Sequence, residues 1–116
     1  MTVPQRIMVL YCPELRWPAG PDRAAARLSE RVIATMTAFC PTVEAVEPGV
    51  CAFGARGPAR YFGGETALAG QVIAAVAELG VDSRVGIADG LFAARLAARD
   101  ASPIRWIPPG GTAGFL

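Results

Sequence analysis

The sequence predicts an α+β fold, and three observations carry the prediction. A nearly continuous apolar run, Ile7-Met8-Val9-Leu10, suits a central strand buried on both faces. Two stretches repeat apolar residues at helical spacing: Ala25, Leu28, Val32, Met36 and Phe39, then Leu68, Val72, Val76 and Leu79. Between them lie two short strand candidates separated by Glu47-Pro48-Gly49, which is turn chemistry.

The elements follow in order. Arg6 to Tyr11 reads as the first strand, ended by Pro13, and Pro18 to Pro21 reads as a break or short linker. Asp22 is a candidate N-cap for the first helix, which Pro41 stops. Thr42 to Val46 and Val50 to Ala55 form a hairpin, and Arg56 to Gly64 reads as a glycine-rich connection. A second helix runs from about Glu65 to Leu79, with Gly80 as its C-terminal stop. Ser83 to Ala88 is a strand, Asp89 is expected to cap a third helix over about Leu91 to Arg99, and Ile104 to Ile107 is a short strand. Pro108-Pro109-Gly110-Gly111 reads as an exit linker. The first six elements give β-α-β-β-α-β, the ferredoxin-like order, with a helix and a short strand appended. The expected architecture is four antiparallel strands with two helices on one face. The first strand should be central, paired with both Val50–Ala55 and Ser83–Ile87.

Bulk properties narrow the function classes. A chain of 116 residues fits a single domain over 1–116 and buries a core without disulfides or metals. No window approaches the ~18 apolar residues of a membrane span, and no leader pattern opens the chain, so a cytoplasmic location is expected. Net charge is +1, which gives no bulk electrostatic case for nucleic acid. All 11 basic residues are arginine, the better phosphate ligand residue for residue. Cys12, Cys40 and Cys51 are widely spaced and have no histidine to join them, so they read as reduced, mostly buried thiols.

The hairpin Val43-Glu44-Ala45-Val46-Glu47-Pro48-Gly49-Val50-Cys51-Ala52-Phe53 resembles the catalytic hairpin of the Y-family (translesion) DNA polymerase palm, which reads roughly Val-Glu-x-x-Ser-Ile-Asp-Glu-Ala. The resemblance covers nearly the whole chain. Ile7 to Glu14 resembles the opening strand with its Asp-x-Asp motif, and Arg60-Tyr61-Phe62-Gly63-Gly64 follows the hairpin. Val85-Gly86-Ile87-Ala88-Asp89-Gly90-Leu91-Phe92-Ala93-Ala94-Arg95-Leu96-Ala97 resembles the signature Val-Gly-Ile-(Ala/Ser)-x-Asn-Lys-x-Leu-Ala-Lys-x-Ala and is the most specific piece. Ile107 to Gly111, ending at Phe115-Leu116, resembles the approach to the thumb. The chain is most similar to the catalytically inactive ImuB-type branch.

The resemblance implies a palm core without polymerase chemistry. The metal-binding carboxylates fall on Cys12, Gly49 and Val50. Glycine and valine cannot ligate a hard cation, and two metal ions need several carboxylates. Only about ten residues, Leu15 to Arg23, stand where the fingers are expected. The lysine before the Leu-Ala-Lys step is Leu91, and the lysine that meets the triphosphate falls on Ser102. No counterpart of the thumb or little-finger domains is present. The implied role is a scaffold in damage-induced mutagenesis, with a sliding clamp, a RecA-like accessory protein and an error-prone replicative-type polymerase as partners, and neither enzymatic activity nor cofactor. Two rivals stand beside it: a fragment of an active translesion polymerase, and a free-standing ferredoxin-like module that dimerises or holds a small ligand.

Individual residues carry paired readings. Glu14, Glu44 and Glu47 are either a displaced metal site or solvated carboxylates at strand ends. Arg84, Arg95, Arg99 and Arg105 are either a DNA-phosphate surface, with Arg95 replacing a family lysine, or a solvated face. Phe53, Phe62 and Trp106 are either stacking platforms or packing residues. Gly63-Gly64 precede a helix without a Walker lysine and read as a helix start. With 53% apolar and 18% charged residues, an apolar patch is expected around Trp17, Trp106, Ile107 and Phe115, with self-association as its consequence.

Overall fold

The computed structural model describes residues 5–15 and 23–115. In chain order these form β1 (Arg6–Tyr11), α1 (Arg23–Thr37), β2 (Glu44–Glu47), β3 (Val50–Gly54), α2 (Arg56–Phe62), α3 (Glu65–Ala77), β4 (Arg84–Asp89), α4 (Leu91–Asp100), β5 (Ile104–Trp106) and α5 (Thr112–Phe115). A single 3-10 turn, Pro13–Leu15, follows β1. The Pro18–Pro21 linker, the Asp22 cap and Trp17 lie outside the described residues.

The sheet order is β2-β3-β1-β4-β5, and its first four strands carry the ferredoxin-like order. β1 is central, as its apolar run predicts, and pairs antiparallel with β3 (Val9 opposite Ala52) and with β4 (Val9 opposite Gly86). The sheet is one strand wider than expected. β5 joins parallel to β4, reached through the α4 crossover, so the sheet is mixed.

Strand alternation sends Met8, Leu10 and Cys12 to one face, where Val32 and Met36 of α1 and Leu68, Val72 and Val76 of α3 cover them. Val9, Val50 and Ala52 point to the other face, onto Ala93, Ala94, Ala97 and Ala98 of α4. The expectation of helices on one face only is therefore corrected. The third helix is not an appendage but the cover of the second face, and this is why β1 is apolar on both sides. Gly86 makes the approach possible. A Cβ there would overlap the Ala94 carbonyl oxygen and the Ala98 amide nitrogen, both backbone atoms that cannot swing away.

Two further expectations change. Arg56 to Phe62 is a helix, not a loose connection, because Gly57 and Pro58 fall in its first turn, where a missing N–H costs no hydrogen bond. The Pro108–Gly111 stretch does not leave the domain. Gly111 N–H closes a turn onto Pro108 O, and α5 brings Phe115 back onto the α4 side.

Candidate functional site

Among the described residues, the two ends of β1 carry two concentrations of chemistry. At its C-terminal end the Cys12 N–H donates to the Gly49 carbonyl oxygen at 2.7 Å, and Tyr11 stands opposite Val50. Cys12, Gly49 and Val50 therefore meet where the adjacent strands β1 and β3 end. Pro48 and Gly49 form the turn between β2 and β3, with Gly49 at φ 80°, as the third position of a type II turn requires.

Beside them opens a cavity of about 530 Å³. Its walls are mostly small or apolar, with Cys12 and Cys51 from the sheet, Gly49 and Val50 from the hairpin and Val32 and Ile33 from α1; Ser29 and Glu47 are the polar exceptions. Both sheet thiols are buried. Burial, with the nearby Asp82 and Glu14 charges, pushes the Cys12 thiol up to about 12. Burial, and then Cys12 itself, pushes Cys51 up to about 12.

This donor set does not fit a pair of hard divalent cations. Gly49 offers no side chain, Val50 an isopropyl group, and Cys12 a protonated thiol. The three candidate carboxylates do not assemble into a substitute. Glu14 and Glu44 are exposed, and Glu47 is engaged 3.0 Å from the Arg95 guanidinium. Among the described residues, no three His, Cys, Asp or Glu side chains converge on a point where an ion could sit.

The four candidate phosphate-binding arginines are distributed over the α4 side. Arg84 shares a cross-strand row with Tyr11 and Val50, Arg95 is bound to Glu47, and Arg99 is exposed in the last turn of α4. Arg105 sits on the edge strand with its guanidinium 5.3 Å from the Phe115 ring centre. Of the aromatic candidates, Phe53 is buried in the core and Phe62 packs against Phe39 with ring centres 5.2 Å apart. Trp106 is 44% exposed and donates its Nε1–H to Glu65. Of the residues expected to form an apolar patch, Trp106 is exposed, Ile107 is buried and Phe115 is half-buried; Tyr61 and Phe92, which are not among them, are 85% and 70% exposed.

The N-terminal end of β1 holds what the sequence reading missed. Arg6 faces the core side and is 2% exposed. Its Nε and Nη2 donate to the two oxygens of Glu65 at 3.1 and 2.9 Å, and its Nη1 donates to Asp89 Oδ1 at 2.8 Å. Nη2 also donates to the Ile107 carbonyl oxygen at 2.6 Å. Asp89 Oδ2 accepts the Gly110 N–H, so Asp89 does not cap α4; the N-cap is Gly90, which makes no side-chain cap bond. A buried guanidinium holds the carboxylate more strongly than a helix terminus can. Burial raises Glu65, but the hydrogen bonds from Arg6 and Trp106 and the Arg6 charge outweigh it and leave its carboxyl below the ordinary range. Asp89 is lowered by its bond from Arg6 and then by the Gly110 N–H. A signal existed in the sequence: Arg6 sits in phase with Met8 and Leu10, so a core-facing charge required counter-ions.

None of the helices among the described residues is long and apolar enough to cross a membrane. No protein-family model matches the chain, and neither does any curated protein or solved structure.

Proposed function

We propose that the chain is a non-catalytic, palm-like relative of the Y-family polymerases, similar to the ImuB-type branch, and that it serves as a scaffold in damage-induced mutagenesis in the cytoplasm. One observation supports the reading above the others. The three positions where the resemblance expects metal-binding carboxylates, Cys12, Gly49 and Val50, lie side by side at the end of the central strand and the tip of its neighbouring hairpin. That is the geometry a palm uses to hold metal ions, occupied here by a thiol, a bare backbone and an isopropyl group. On this reading the partners are a sliding clamp, a RecA-like accessory protein and an error-prone replicative-type polymerase, with DNA at Arg84, Arg95, Arg99 and Arg105. The rival of an active polymerase fragment needs oxygen ligands that these positions do not offer.

The test has two arms. Titration calorimetry with manganese and a nucleoside triphosphate is expected to give no binding heat; a low-micromolar Kd overturns the non-catalytic half. Co-purification with the three partner proteins encoded in the same genome is expected to capture at least one of them, and capture of none overturns the scaffold half. A second reading, a free-standing ligand-binding module, is favoured by the 530 Å³ cavity, whose size falls in the range of small-molecule sites.

A further inference from the structure

We infer that Cys12 and Cys51 form a dithiol site in the cavity at the end of the sheet, one that takes a single thiophilic, two-coordinating centre of the class represented by trivalent arsenicals. The inference goes beyond the polymerase reading and does not rest on it.

Placement is the first argument. Cys51 stands opposite Leu10 in the β1–β3 ladder, and Cys12, two residues further along β1, bonds through its N–H to Gly49, two residues before Cys51. The two cysteines are therefore diagonal neighbours on one face of one strand pair. Both belong to the core cluster on that face, and both line the same cavity. Cys40 belongs to the same core cluster but not to the cavity wall, and its Sγ lies 3.2 Å from Thr42 Oγ1.

Spacing selects what can join them. Diagonal neighbours in an antiparallel pair have Cα atoms about 7–8 Å apart. A disulfide wants Cα atoms roughly 4.4–6.8 Å apart. A third atom placed between the sulfurs adds the missing span, so the pair suits a bridging centre better than a direct S–S bond.

Charge and ligand number select the class of that centre. A monovalent soft cation held by two thiolates leaves a net negative charge beside Asp82 and Glu14, which already oppose deprotonation of Cys12, and a divalent cation such as zinc wants further ligands that the described residues do not bring together here. A trivalent arsenical leaves no charge and asks for no third protein ligand. An arsenoso compound, R–As=O, reacts with both thiols: two S–H bonds and the As=O bond break, two S–As bonds form, and one water leaves with both protons. Arsenic stays trivalent, so no oxidant or reductant takes part. The product is neutral, and the organic substituent fits among Val32, Ile33 and Leu15.

Phenylarsine oxide added to the full chain tests the site. Native mass spectrometry is expected to show one phenylarsenic per chain. Proteolysis of the adduct is expected to yield the Cys12 and Cys51 peptides joined through arsenic. C40S is expected to bind as the wild type does. C12S and C51S, each near-isosteric, are expected to bind on the order of 100-fold more weakly, because the second sulfur no longer acts at high effective concentration. No adduct, an adduct that joins Cys40, or undiminished binding in either C12S or C51S overturns the proposal. So does rapid formation of a Cys12–Cys51 disulfide under mild oxidation, since it would place the sulfurs in direct reach. The peptide map on the wild type decides the matter even where a serine variant folds poorly.

Discussion

One strand, β1, has two unlike ends. At Arg6 a buried guanidinium is matched by two carboxylates and a carbonyl, all three of its nitrogens donate, and α3, β4 and the C-terminal segment are tied together. At Cys12 the wall is mostly apolar, most of its side chains are small, and a cavity remains. The first end is closed by directional bonds, whereas the second is shaped by what small side chains leave unfilled. Rigidity and vacancy are thus separated along about six residues of one strand, and the end with room is the one at which chemistry can be sought.

The largest expected effect breaks the closed end. Arg6→Met removes the guanidinium that Glu65 and Asp89 share, leaves Arg56 as the remaining positive charge acting on them, and should cost about 3–5 kcal/mol in urea unfolding at neutral pH. Cys12→Ser at the open end should cost clearly less. Equal losses at the two ends would erase the contrast.

Next comes the joint between the ends. Gly86→Ala forces α4 away from the sheet and should destabilise by about 1–3 kcal/mol, with loss of α4 protection in hydrogen exchange. Retained stability would mean that α4 packs further from β4 than described.

Acidity sharpens the comparison. Glu65 and Asp89 are held below their ordinary values, so their contribution is complete only above about pH 5, beyond the unfolded carboxyl range, and is lost as pH falls through the lowered folded values. In Arg6→Met the Arg6 bonds that lower both carboxyls are gone, while Trp106, Gly110 and Arg56 remain, so the variant loses less stability over the same pH range. The stability gap between wild type and this variant should therefore narrow from pH 6 to pH 3, read as urea midpoints. A constant gap would show that Arg6 acts through packing alone.

The smallest effect is at the hairpin. Glu47 and Arg95 are 38% and 33% exposed, and Glu47→Gln should cost no more than about 0.2–1 kcal/mol, falling further in high salt.

Much of the fold was legible because its signals are local. The apolar run from Ile7 to Leu10 announced a strand buried on both faces, and the structure gives it neighbours on both edges and helices on both faces. The same run already argued against helices on one side only. Helix α2 was hidden because Gly57 and Pro58 read as breakers wherever they stand, and only the position of the helix start makes them harmless. Asp89 was misread because an acid before a helix looks alike as cap and as ion-pair partner; its partner lies 83 residues away in sequence. The meeting of Cys12 with Gly49 followed from the hairpin and strand order. The cavity did not, since it arises from small side chains on β1, β2, β3 and α1 whose shortfall in volume appears only after packing.

Gly49 sets a threshold on what this turn accepts. Its φ of 80° lies where an L-residue with a side chain is disfavoured by roughly 1–2 kcal/mol. An aspartate at that position either keeps the turn at that cost or shifts it, and shifting it disturbs the Gly49 carbonyl that accepts the Cys12 N–H. On the proposed palm-like reading, a carboxylate placed there would start from a backbone deficit before any cation could offset it.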